Sequence, residues 1–177
     1  MSANATFDVP TDVVQTTHEH LRAKGATREE GVVLWRGTFE PPRITGAIVP
    51  LQDTSEGRFR VSLEERQRLS RQLSGTGEMI VAQVHSHPNA AFRSWIDDKE
   101  AIPRRVGAYS LVVPDFGARA GLLDDAALFQ LDSAGSWRDA PLDTFRLPLT
   151  PSTSTAPQSK GLRWLIATVK NFGRSRT

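Results

Sequence analysis

Residues 79–87, MIVAQVHSH, constrain the fold more than any other part of the chain. The first half of this run is apolar on both faces, which suits a strand covered above and below. Such a strand belongs in the middle of a layered sheet, and Pro88 stops it at once. The flanking sequence supplies the rest of a layered domain. A helix is expected from Thr11, as N-cap, to Lys24, with Gly25 ending it. Residues 31–37 and 43–49 read as strands separated by a proline-containing loop. Ser62-Leu-Glu-Glu65 has the form of a capping box, opening a helix to about Gly75. Ser94 is expected to cap a short helix through about Ile102. Tyr109 to Val113 and Ala126 to Leu131 read as further strands, and Trp137 as part of a last short one. The expected class is α/β (α+β), a mixed sheet between helices in three layers.

A length of 177 residues suits one such domain, over residues 1–149. A Pro/Ser/Thr-rich linker at 150–161 follows, then a basic amphipathic helix or tail at 162–177. Lys160, Arg163, Lys170, Arg174 and Arg176 give the last 27 residues +5 with no acid. The net charge of +2 therefore leaves −3 on the first 150. The basic character belongs to the tail, so the body is not expected to bind nucleic acid. A helix docked on the body or on a partner is expected there. Residues 1–10 carry no basic-then-apolar leader and no apolar run is long enough to span a membrane, so a cytoplasmic chain is expected. There is no cysteine. That excludes disulfide scaffolds, Cys-based zinc fingers, iron–sulfur sites, thiol nucleophiles and the zinc deaminases.

The four histidines form two pairs, each spaced i, i+2. His18 and His20 fall on the first helix, where that spacing turns them about 200° apart. They cannot share a metal; His18 is expected at the edge of the core and His20 in solvent. His85 and His87 fall on a strand, where i and i+2 share a face. Two imidazoles side by side at a strand end suit zinc, although a structural pair is the plain alternative. Ser94-x-x-Asp97 follows, at the start of a helix that can return a carboxylate to the pair as a third ligand. Three protein ligands leave a fourth zinc position open, as a catalytic site requires. On its position alone, Glu30 reads as an exposed loop glutamate.

Taken together, Glu30, His85-Ser86-His87-Pro88 and Ser94-x-x-Asp97 resemble the JAMM motif of JAB/MPN-domain zinc metalloproteases. In that family the glutamate commonly opens a strand ending in glycine seven residues on, which Glu30 and Gly37 match. Ser110 to Gly117, SLVVPDFG, is similar to the family's strand after the metal-binding helix, so the resemblance spans about residues 11–135. It implies a curved mixed sheet between helices, the JAB/MPN (cytidine-deaminase-like) fold. It further implies zinc held by His85, His87 and Asp97, Glu30 as the base acting on water, and Ser94 as donor to the tetrahedral intermediate. The implied activity is an isopeptidase or peptidase cutting after the C-terminus of a ubiquitin-like protein, in deconjugation or precursor processing. Activating- or conjugating-enzyme-like proteins of the same system are the implied partners.

Two departures from the family pattern stand out. Five residues, Asn89 to Arg93, separate Pro88 from Ser94 where six are commoner; the commoner spacing would make Asp98 the ligand. Asp97 is preferred because it keeps the Ser-to-Asp step within one helical turn. Val33 stands where many members have glycine, which bears on packing and not on chemistry. Many MPN domains have lost the metal and serve as binding scaffolds, so the rival reading is a catalytically weak or inactive MPN-type scaffold in a ubiquitin-like or sulfur-carrier system. Retention of all five motif positions favours the enzyme.

Overall fold

The computed structural model describes residues 5–148. The expected linker and basic helix at 150–177 lie outside the described residues. The elements run β1 (Phe7–Asp8), α1 (Thr11–Gly25), β2 (Val32–Phe39), β3 (Pro42–Ile48), β4 (Asp53–Ser55), β5 (Arg58–Arg60) and α2 (Leu63–Leu73). They continue with β6 (Met79–Ser86), α3 (Trp95–Glu100), β7 (Tyr109–Val113), β8 (Ala127–Leu131), β9 (Trp137–Ala140) and β10 (Phe145–Arg146). Six strands form one mixed sheet in the order β3-β2-β6-β7-β8-β9. Its one parallel pair is β6 with β7, linked by the crossover that contains α3. β6 thus lies inside the sheet, as its two apolar faces require.

The sheet has a core on each face. Val33 and Trp35 point to one side, where they join Val13 and Leu21 of α1 with Phe7, Tyr109 and Phe145. Val32 and Leu34 point to the other, with Phe59, Val61 and Leu69 of α2. This alternation along β2 makes the domain three layers deep. Trp35 is fully buried, donates from Nε1 to Thr17 Oγ1 at 2.9 Å, and meets Phe145 edge to face. Emptying a site of that size costs ~3–5 kcal/mol. Val33 is fully buried in the same core.

β2 is bulged between Arg36 and Gly37 against β3, which brings the chains together there. A Cβ on Gly37 would run into the Arg43 carbonyl oxygen, so the glycine is a steric requirement of the pairing.

Helix starts differ in detail from the sequence expectation. Thr11 is the first residue of α1 and not its cap. Pro10 occupies the cap, extended at φ −61° and ψ 150°, and its carbonyl accepts from Val14 N at 3.1 Å. Ser62 caps α2 by accepting from Glu65 N at 3.2 Å. The reciprocal half of that box is missing, because the Glu65 carboxylate accepts instead from Leu51 N and from Arg68. No helix of the described residues is long and apolar enough to cross a membrane.

Candidate metal centre

The site forms where β6 ends. His85 is the penultimate residue of the strand and fully buried; His87 lies just beyond it and is 4% exposed. The backbone of His87 is held on both sides. Its N–H donates to Val113 O at 2.9 Å, and its carbonyl accepts from Phe116 N at 2.7 Å. Phe116 adopts a left-handed backbone at φ 55°, an arrangement that is costly for an aromatic residue and is held by the turn after β7. Phe59 packs on the His85 ring at 5.2 Å, and Phe92 meets the His87 ring edge to face at 5.0 Å. The two imidazoles themselves lie 5.2 Å apart.

Asp97 comes from α3. Ser94 and Asp97 form a complete capping box. Ser94 N donates to Asp97 Oδ2 at 2.6 Å, and Asp97 N donates to Ser94 Oγ at 3.3 Å. The box fixes the carboxylate at the first turn of the helix, where Oδ1 lies 3.3 Å from His85 Nε2 and Oδ2 lies 3.5 Å from His87 Nε2. One ligand atom from each of the three residues falls within 4.8 Å of the others, and all three residues are buried. Asp98 faces elsewhere: its carboxylate is 59% exposed and accepts from Arg93 Nε at 2.8 Å.

Such a donor set fits a metal ion. Neither ring nitrogen of His85 has a hydrogen-bond partner among the described residues, although the ring is fully buried. Its Nε2 is close to Asp97 without hydrogen-bond alignment, and an unpartnered buried nitrogen is costly unless something occupies it. Burial holds the His85 imidazole below its ordinary value and hence neutral, the form that binds metal. For Asp97, burial alone would raise the carboxyl. The two imidazoles and the Ser94 N–H outweigh it and hold the group far below the usual carboxylate range.

Glu30 enters through strand register. Val32 pairs with His85 in the antiparallel ladder between β2 and β6, and Ser86 N donates to Gly31 O at 3.1 Å. The Ser86 hydroxyl accepts from Gly31 N at 3.1 Å, so the chain just before β2 is pinned to the histidine segment from both directions. Glu30 is then level with His87. Its side chain is not in solvent, as its position suggested, but only 3% exposed. Burial pushes its carboxyl up to about 7, with Asp97 adding to the rise and His87 opposing it.

The first histidine pair is also placed. His18 Nε2 lies 3.0 Å from the carbonyls of both Gly117 and Arg119; carbonyls only accept, so Nε2 carries the proton. His20, expected in solvent, is half-buried. Its Nε2 is covered, has no partner among the described residues, and sits against Gly31 beside Glu30. Sequence reading missed Arg93, whose guanidinium is buried next to Ser94 and stacked on Trp137 at 4.1 Å. No motif marks it; only the fold of β9 over the start of α3 brings the two residues together.

No family model matches the chain. Over 142 residues it is 35% identical to the probable metalloprotease y4jG of Sinorhizobium fredii, spanning 77% of this chain and 88% of that protein. Among solved structures it is similar to protein DSY2949 from Desulfitobacterium hafniense, with a TM-score of 0.51 at 17% identity over 81% of this chain and 93% of that one. A protein from Salinibacter ruber gives a TM-score of 0.50 at 18% identity, covering 77% and 89%. At such identities these two likenesses speak for the fold alone.

Proposed function

The chain belongs to the family of the probable metalloprotease y4jG, and from that premise we propose that it is a zinc-dependent peptidase or isopeptidase of the JAMM type, cutting after the C-terminus of a ubiquitin-like protein. The observation that carries the reading is the convergence of His85, His87 and Asp97, with their ligand atoms within 4.8 Å of one another, beside a buried Glu30. Two imidazole nitrogens and one carboxylate oxygen are a donor set that zinc accepts, and three protein ligands leave one position open. When bound, zinc supplies a Lewis acid that polarises a carbonyl and lowers the pKa of water.

The remaining chemistry belongs to the chain. Glu30 is the general base: a carboxyl pushed up to about 7 by burial can take a proton near neutral pH and give it back to a leaving amine. Ser94 accepts from Asp97 N through its oxygen, which leaves its O–H free to donate to the developing oxyanion. No thiol exists, and no histidine hydrogen-bonds to Ser94 among the described residues. Water is therefore the nucleophile, and no acyl-enzyme forms. The ubiquitin-like substrate follows from the resemblance of Glu30, His85-x-His87-Pro88 and Ser94-x-x-Asp97 to the JAMM pattern. A metal-free scaffold would gain nothing from a dry Glu30 carboxyl or from the buried, unpartnered His85 ring, both of which cost stability unless used.

The test is cleavage of a ubiquitin-like protein from the same genome, fused at its C-terminus to a reporter. Cleavage that stops with chelator and returns with zinc is expected. Chelator-resistant cleavage or a trapped acyl-enzyme would overturn the mechanism.

A further inference from the structure

Beside the metal centre runs a cleft of about 680 Å³. Ser94, Trp95 and Asp98 of the α3 segment form one wall, and Phe129, Trp137 and Arg138 of β8 and β9 the other. Arg93 lies at its base with a side chain only 9% exposed. The guanidinium is ordered on two sides. Its face stacks on the Trp137 ring at 4.1 Å, and its Nε donates to Asp98 Oδ1 at 2.8 Å. The outer edge remains: Nη1 and Nη2 are both buried and have no partner among the described residues. A dry guanidinium with its end-on fork unused is costly to keep, and the two parallel N–H groups of that fork match a carboxylate. Burial pushes this arginine down from its ordinary value, in keeping with poor solvation.

We propose that this cleft is a subsite for one carboxylate of the peptide substrate, anchored by Arg93. The charge on the walls favours a single carboxylate over a polyanion, since Arg93, Arg104 and Arg138 face Asp98 and Asp139. Continuity with the centre favours a peptide. Ser94 lines the cleft and caps the helix that carries Asp97, so a chain lying across the metal centre extends into it. Only this identification of the occupant as peptide rests on the peptidase reading. Because Nη1 and Nη2 are covered, an occupant must displace part of the cover while the Trp137 stack and the Asp98 pair stay in place.

The experiment measures binding and not turnover, on full-length metal-loaded Glu30→Gln protein. Three hexapeptides of otherwise uncharged sequence, each labelled with an uncharged BODIPY dye, are compared by anisotropy: a free C-terminal acid, its amide, and an amide with one internal glutamate. At least one carboxylate peptide should bind roughly 10-fold or more tightly than the neutral amide, as a charge-assisted forked pair implies. Whichever does so identifies the carboxylate as terminal or side-chain. Arg93→Gln should abolish the advantage while metal content stays unchanged, and Arg146→Gln, paired with Asp8 far along the chain, should keep it. Should Arg93→Gln fail to fold, Arg93→Lys decides, since it keeps the charge but loses the fork and with it most of the advantage. Equal affinity for the three peptides, no binding of any at millimolar concentration, or an advantage kept by the folded Arg93 variants would each overturn the subsite. Discrimination of the peptides, together with no cleavage of a ubiquitin-like fusion by the zinc-loaded protein with Glu30 intact, would instead overturn the peptidase reading.

Discussion

Val32 stands opposite His85 in the antiparallel pairing of β2 with β6, and this one register sets Glu30 level with His87. A slip of one residue would turn every side chain of β2 to the other face and remove Glu30 from the centre. The proposed base and two proposed ligands are therefore spaced by the sheet, and only Asp97 is delivered from outside it.

The pH dependence should report Glu30. Burial pushes its carboxyl up to about 7, and a general base works only when ionised, so activity should climb with pH and level off above that value. A cation bound alongside favours the carboxylate and moves the midpoint lower. Profiles of kcat/KM should show this acidic limb, and Glu30→Gln should remove it while losing on the order of 100-fold or more in rate and keeping its metal. A native profile that falls across the same interval would contradict the assignment.

Metal content should separate the neighbouring aspartates. Asp97 lies 3.3 Å from His85 and 3.5 Å from His87, whereas Asp98 pairs with Arg93 at 2.8 Å. Loss of an outer partner already weakens metal sites by roughly 10–100-fold, so Asp97→Ala should weaken zinc binding by more than about 100-fold. Asp98→Ala should bind one zinc per chain. Elemental analysis and competition with a chromogenic chelator would read both, and the reverse ranking would move the ligand to Asp98.

Ser94→Ala should show two separable losses. Removing the cap acceptor costs ~1 kcal/mol of stability. It also releases the Asp97 N–H that now binds Ser94 Oγ, so zinc affinity should drop roughly 10-fold. Ser94→Thr keeps an acceptor and should restore both. A turnover defect larger than the metal loss, read at saturating zinc, would isolate the hydroxyl's donation to the oxyanion.

Gly37→Ala should destabilise the domain by ~1–3 kcal/mol, because the new methyl meets the Arg43 carbonyl oxygen across the β2–β3 pair. Urea unfolding monitored by tryptophan emission would measure it. An unchanged midpoint would mean that the bulge relaxes freely.

What the sequence made legible was local. The two-faced apolar run placed β6 inside the sheet, the Ser94-x-x-Asp97 spacing placed a cap and a carboxylate together, and Tyr109–Val113 emerged as a strand with those bounds. What it hid depends on partners distant in the chain. Glu30 looks exposed until β2 is laid beside β6. His20 looks solvated until Gly31, with no side chain of its own, lets α1 lie close. Glu65 has the right spacing for a capping box, yet Leu51 N and Arg68 compete for its carboxylate and win. The β1–β10 pair joins Phe7 to Phe145, a parallel contact of two residues that no local pattern marks.

The capping box at Ser94 also bears on how the domain opens. His85 sits on a central strand, while Asp97 sits on a six-residue helix bounded by loops. Short peripheral elements of this kind unfold locally long before the sheet does. A metal held by residues of both would act as a clasp, closing a short peripheral helix onto a central strand. At a free metal concentration 100-fold above its Kd, that clasp adds ~2.7 kcal/mol. Stripping the metal should accelerate amide hydrogen exchange at residues 95–100 and leave β2 and β6 protected, so that the candidate metal centre comes apart while the fold around it persists.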